Sequence, residues 1–384
     1  MTKEAVSTNE SSLKSALRTV YSNLENFFLA PRTAETLATL RIATGAMLCY
    51  IHCIWILDLT SFFGANALLN LEVLDTLHAK SYKWTYLASS DSLAVALIHE
   101  VLAAIVGVLL AVGFATRWTS IAAWFLTLMT VHRLTPFLFG LDQITLMLVL
   151  YLCVGRSASC WSVDVWLGER LRRARLRGAQ LQGGKGTALS KSSNGQPNGP
   201  SNGSANYSAR VSVHANGTPI TPESFPARVS GIVRWMGWDD DGRACWCNTL
   251  ATRLIQLHLC FIYFFGGLGK LRGGMWWDGT AMWFSAASYE YQSLDLTWIG
   301  YYPIFGAILT HITLFWEVTY FALVWPKQTR LFVLAIAVMV HAGIGIFLGM
   351  ITFGWMMIVA NLAFVEPKWL RRYLLSNGKP NDSI

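Results

Sequence analysis

Eight apolar runs restrict what this chain can fold into more than anything else in it. Ala34–Leu57, Asp91–Phe114, Thr119–Leu134, Pro136–Gly155, Thr249–Leu268, Tyr302–Trp325, Leu331–Leu348 and Ile351–Val365 are about 15 to 24 residues long, and roughly 20 helical residues cross a bilayer core. In lipid the backbone must satisfy its own N–H and C=O groups, so runs of this kind cross as helices. Composition agrees: 53% hydrophobic, 14% charged and 17 tryptophans, where a soluble domain carries about 25% charged residues. The expectation is an all-α, polytopic transmembrane helical bundle of about eight helices. The third run and the last two are the short ones and are expected to be tilted partners in the bundle.

No cleavable signal pattern precedes Ala34, so the first run is expected to stay in the mature chain. Leu13, Leu17, Val20, Leu24 and Phe27 recur at helical spacing, which fits a helix lying on the membrane surface or an ordinary amphipathic leader. Most of the 30 lysines and arginines fall on one side if the N-terminus is inside, notably those between Arg156 and Arg243 and those from Lys368 to Lys379. The positive-inside rule then predicts a multi-pass protein of the cell inner membrane with both termini cytoplasmic. The net charge of +8 suits anionic lipid at that face and requires no nucleic acid.

The chain therefore divides into a leader (1–33), a first transmembrane half (34–155), a basic cytoplasmic loop (156–248), a second transmembrane half (249–369) and a tail (370–384). Within the loop, "GERLRRARLRG" at Gly168–Gly178 is basic and helix-like. From Gly178 to Thr221 the sequence turns to Gly, Ser, Asn and Pro, predicting a disordered linker. Seven cysteines include Cys49 and Cys53 one turn apart and the Cys245/Cys247 pair. No second Cys or His pair stands at ligand spacing, so no metal site is expected.

Ionisable side chains interrupt the apolar runs at Arg41, Glu100, Asp142, Arg253 and Glu317, together with His52, His99, His258, His311 and His341. A charge at the bilayer centre costs ~2.5–3.5 kcal/mol on insertion scales, so these groups are expected to face inward and to pair. Counting the rise per residue predicts an Arg253–Glu317 pair near the inner face, with Arg41 in the same layer. His258, His311 and His341 fall near the midplane. Either a structural clamp or a polar pocket follows.

Lys270 stands apart, in "FIYFFGGLGKLRGGMWWDG" at Phe261–Gly279. Gln256, Tyr263 and Lys270 recur every seven residues, within about 40° of one another on one helix face. Gly266 and Gly267 flank that face and invite a close neighbouring backbone. His132, Arg133 and Asp142 are expected at a similar outer depth, with Trp276, Trp277 and Asp278 above. Two readings stay open: a snorkelling lysine in an interfacial tryptophan belt, or a desolvated amine acting as a base in a pocket of these residues.

The stretch "QLHLCFIYFFGGLGKLRGGMWWDG" resembles the core motif of the transmembrane domain shared by vitamin K-dependent gamma-carboxylases and the horizontally transferred transmembrane (HTTM) family. Further similarities follow in order: Arg41 and Gly45 in "LRIATG", Trp161–Asp164 in "YLCVGRSASCWSVD", Glu317 in "FWEVTYFALVW" and His341 in "VHAGIGIFLGMITFGWMMI". Together they cover roughly residues 33–369 apart from the linker. The resemblance implies that Lys270 is a catalytic base acting on a reduced quinone of the vitamin K kind, with carbon dioxide adding to a glutamate substrate. Where the carboxylases carry two adjacent lysines, this chain has Gly269 and Lys270. Two function classes therefore stay open: a gamma-carboxylase-like membrane enzyme, and a non-catalytic membrane module that binds or transports a small molecule or helps mature an exported peptide.

Overall fold

The computed structural model describes residues 3–79, 81–187, 244–291 and 293–375. Among these the chain is helical, with no β-strand. In order come α1 (Lys3–Leu29), α2 (Glu35–Leu57), α3 (Leu59–Phe62), α4 (Leu71–His78), α5 (Leu93–Val112), α6 (Thr116–Arg133), α7 (Gly140–Leu152) and α8 (Val163–Thr187). The chain resumes with α9 (Trp246–Leu271), α10 (Gly274–Trp277), α11 (Ala281–Ala287), α12 (Pro303–Leu323), α13 (Lys327–Phe347), α14 (Ile351–Asn361) and α15 (Pro367–Leu375).

Five of these, α2, α5, α9, α12 and α13, are long and apolar enough to cross a membrane. The expected count of eight is thus not reached by length and composition. Helix α7 has 13 residues and α14 has 11, while α6 spends its inward face on hydroxyls, with Thr116, Thr119, Ser120, Thr127 and Thr130 all buried.

Contacts divide the chain into two units, residues 1–164 with 241–384, and residues 165–240. In the second unit α8 continues to Thr187, past the start expected for the disordered linker. Ala179, Gln180, Leu181 and Gln182 are good helix formers, so the helix outlasts Gly178. Residues 188–221 of that expected linker lie outside the described residues. On α8, the Arg170 guanidinium lies 3.9 Å over the Trp166 ring.

The first unit is held by two close antiparallel crossings. Helices α2 and α5 meet at Gly45 and Gly107, where a Cβ on Gly45 would come within 2.7 Å of Gly107 O and 2.8 Å of Ala111 Cα. Helices α9 and α12 meet at Gly267, where a Cβ would lie 2.8 Å from Val318 Cγ2 and 3.1 Å from Val318 N. Without side chains at these points the backbones approach closely enough for dispersion to act along the crossing. Leu37, Leu148, Ile255, Leu259, Tyr320 and Met356 fill the core between the pairs, essentially without exposure.

Helices α10 and α11 do not leave the bundle. Gly279, in the left-handed region at φ +83°, lays its backbone against Ala307 of α12. Thr310 of α12 accepts a hydrogen bond from Met282 N at 3.0 Å. The chain after α9 thus runs on beside the first turns of α12.

Candidate functional site

The crossing at Gly267 fixes the height of Lys270. One turn beyond it, Lys270 Nζ donates to Glu317 Oε2 at 2.5 Å. The lysine side chain is 27% exposed and the glutamate 12%. Trp276 covers the ammonium, its ring centroid 5.2 Å from Nζ, a cation–π contact. Glu317 lies roughly 21 Å along α12 from Pro303, at ~1.5 Å per residue. Helices α10 and α11 flank the turns of α12 above Glu317.

Glu317 therefore pairs with Lys270 and not with Arg253. Arg253 lies roughly 21 Å along α9 from Gly267, at ~1.5 Å per residue. It donates to Phe27 O at 3.0 Å and to Gln256 Oε1 at 2.8 Å, with the Phe27 ring 4.1 Å away. It anchors the end of α1. Arg41 makes its own contacts: fully buried, it donates to Ser157 O at 2.7 Å and to Trp161 O at 2.6 Å. Nearby, Asp164 of the "WSVD" motif accepts from Ala115 N, Thr116 N and Thr116 Oγ1 at 2.8–2.9 Å. The motif thus closes the end of α7 and holds the start of α6.

The seven-residue stripe on α9 is present, but its members reach different partners. Gln256 Nε2 donates to Ala363 O at 2.7 Å. Tyr263 meets His341 Nε2 through its hydroxyl at 2.8 Å and accepts from Asn361 Nδ2 at 2.9 Å. Tyr320 in turn donates to Asn361 Oδ1 at 2.6 Å. This buried Tyr263–His341–Asn361–Tyr320 network lies two turns below Lys270, and it leaves His341 Nδ1 buried without a hydrogen-bond partner. Asn361 and Tyr320 escaped the sequence reading because neither stands out in an apolar run.

The remaining expected pocket members each make contacts of their own. His132 bonds Trp84 O at 2.6 Å, and Asp142 Oδ2 accepts from Phe139 N at 2.9 Å at the start of α7. His258 meets the Tyr151 hydroxyl at 2.9 Å. Trp277 is 60% exposed and donates to Leu271 O at 2.7 Å. Asp278 accepts from the Thr280 hydroxyl and amide, which holds its carboxyl below the usual range. Arg41, Arg253, Glu317, His258, His311 and His341 thus belong to separate local contacts and do not form one network.

A groove of about 610 Å³ runs between α12 and α13. Ile308, Phe315, Trp316, Phe332 and Ile336 line it, and His311, which donates to Ala307 O at 2.8 Å, is one of its few polar members. Trp316 is its inner wall: the other side of that ring meets Tyr263 at 4.8 Å and His341 at 6.3 Å between centroids. Lys270 does not line it. Among the described residues, no cluster of three or more His, Cys, Asp or Glu stands at metal-binding geometry.

Compared with models of known families, with curated proteins and with solved structures, the chain finds no match.

Proposed function

We propose that this is an integral membrane protein of the gamma-carboxylase-like HTTM kind, in which Lys270 and Glu317 form a proton-transfer pair serving a lipid-soluble quinol. The observation that carries the reading is the 2.5 Å contact between Lys270 Nζ and Glu317 Oε2 inside the bundle. In a low-dielectric setting an ammonium–carboxylate pair and its neutral amine–acid counterpart draw closer in energy than in water. Transfer of one proton from Nζ to Oε2 leaves a free amine lone pair at Lys270, ready to accept a proton from a substrate hydroxyl. Glu317 stores the displaced proton without recourse to water. Trp276 favours the cationic state through its ring face and so stabilises the lysine once it has taken up the proton.

The residues suit such a cofactor in one respect: the groove between α12 and α13 is apolar and about 610 Å³, within the range of small-molecule sites. Neither Lys270 nor Glu317 lines that groove, so a reduced quinone would have to present its acidic hydroxyl on the partly exposed side of Lys270; the chain would supply the base and its proton store. The same groove also favours a second reading, a module that binds an apolar small molecule without chemistry.

The double variant Lys270→Gln with Glu317→Gln keeps a hydrogen bond between two neutral groups and removes proton transfer. In nanodiscs with reduced menaquinone or vitamin K, oxygen and labelled bicarbonate, the unaltered chain is expected to form quinone epoxide. The double variant is expected to form none while melting at a similar temperature. Turnover that survives in the double variant, or its absence from the unaltered chain with several quinols, would favour the binding module.

A further inference from the structure

The other crossing of the bundle buries a second carboxylate that the proposed chemistry does not use. Glu100 of α5 is completely buried. Its ion partners among the described residues are two histidines: His52 Nδ1 lies 2.6 Å from Oε2, and His99 Nε2 lies 3.8 Å from Oε1. Thr130 Oγ1 stands 3.1 Å from Oε1 and 2.8 Å from His99 Nε2. His99 Nδ1 is hydrogen-bonded to the hydroxyl of Tyr86, a half-buried residue in the connection between α4 and α5. On the far side, Thr127 Oγ1 is 3.4 Å from His52 Nε2.

The directions of these bonds follow one from another when Glu100 is ionised and His99 neutral. An ionised carboxylate only accepts, so the single Thr130 hydroxyl proton goes to Oε1. Thr130 must then accept from His99 Nε2–H. That leaves His99 Nδ1 to accept from the Tyr86 hydroxyl. His52 Nδ1–H donates to Oε2. Every donor between Tyr86 and Glu100 points toward the carboxylate.

We infer that Glu100 is a proton-binding site, loaded through Tyr86, His99 and Thr130 from the face of the bundle that carries the connection between α4 and α5. One shift of each proton along the row balances the step. Tyr86 gives its proton to His99 Nδ1, His99 gives its Nε2 proton to Thr130, and Thr130 gives its own to Glu100. A proton from solvent restores the phenol. The result is a neutral acid at Glu100 and the other tautomer of His99. The titratable groups facing the carboxylate are His52 from α2, His99 from its own helix and Tyr86 from the connection, with Asp142 of α7 in electrostatic reach of His52; α6 contributes the hydroxyls of Thr127 and Thr130 and the Leu126 carbonyl. Burial first, then the charge of Glu100, pushes the Tyr86 phenol above its usual range, which keeps it a neutral donor. An ionisable group held within membrane helices and bonded to histidines is costly to keep and marks proton or ion pathways.

The test is infrared difference spectroscopy of the full-length protein in lipid nanodiscs after a pH jump. The expected result is a carbonyl band of a buried carboxylic acid that rises on acidification and is lost in Glu100→Gln. Tyr86→Phe, which keeps the ring, is expected to retain the band but slow its appearance by about 10²-fold, the low end for removing a positioned proton-transfer group. A band unchanged in folded Glu100→Gln, or no band in the unaltered chain, overturns the site. Should Glu100→Gln not fold, Tyr86→Phe decides alone: a rate equal to that of the unaltered chain overturns the path.

Discussion

Glu317→Ala is expected to lower the free energy of unfolding by about 2–3 kcal/mol. Breaking a fully buried ion pair by removing one partner costs about 3–5 kcal/mol; the lysine side chain here keeps 27% of its exposure, so the figure is discounted for screening. The loss comes chiefly from the cation left without its acceptor. Lys270→Met combined with Glu317→Leu is therefore expected to recover most of it, because two well-packed apolar groups replace the pair without leaving a charge behind. A double-mutant cycle read by denaturant melts in micelles measures the coupling. Singles that cost nothing, or that simply add, would mean that the contact is a surface pairing with no energetic weight. The proton-transfer reading would then lose its footing as well, since it needs the two groups held together.

Gly45→Ala should be at least as damaging, at about 3 kcal/mol, the upper end for overpacking a core. The added methyl would meet backbone atoms of Gly107 and Ala111, and backbone cannot swing aside as a long side chain can. Helices α2 and α5 must separate, which also pulls His52 away from Glu100. Gly269→Ala is the contrasting control: nothing lies within 4 Å of its Cβ position. In a helix interior that change should stabilise by roughly 0.5–1 kcal/mol. Equal melting temperatures for the two variants would refute the close crossing.

Why some of this was legible in the sequence and some not follows from the same crossings. The Gly266/Gly267 pair pointed to a close neighbour for α9, and Val318 is there. The Gln256–Tyr263–Lys270 stripe was also readable from its period. Its partners were not, because counting residues gives height along one helix but not the tilt or offset of the next. The Arg253–Glu317 expectation failed for that reason. The crossing at Gly267 and Val318 sets Glu317 against Gly266 and Gly267, roughly three and a half to four turns of α9 from Arg253 at ~3.6 residues per turn. The buried centre at Glu100 was within reach. In an antiparallel pair crossing at Gly45 and Gly107, two turns forward on one helix and two turns back on the other bring His52 opposite Glu100. What the sequence withheld was that these two glycines face each other.

Arg41 has a consequence for how the chain is made. Its two acceptors, the carbonyls of Ser157 and Trp161, lie 116 and 120 positions downstream. When the first apolar helix leaves the ribosome, neither has been synthesised, and a guanidinium abandoned in lipid is expensive. Helix α2 therefore gains the two acceptors that offset this cost only after Trp161 has been translated.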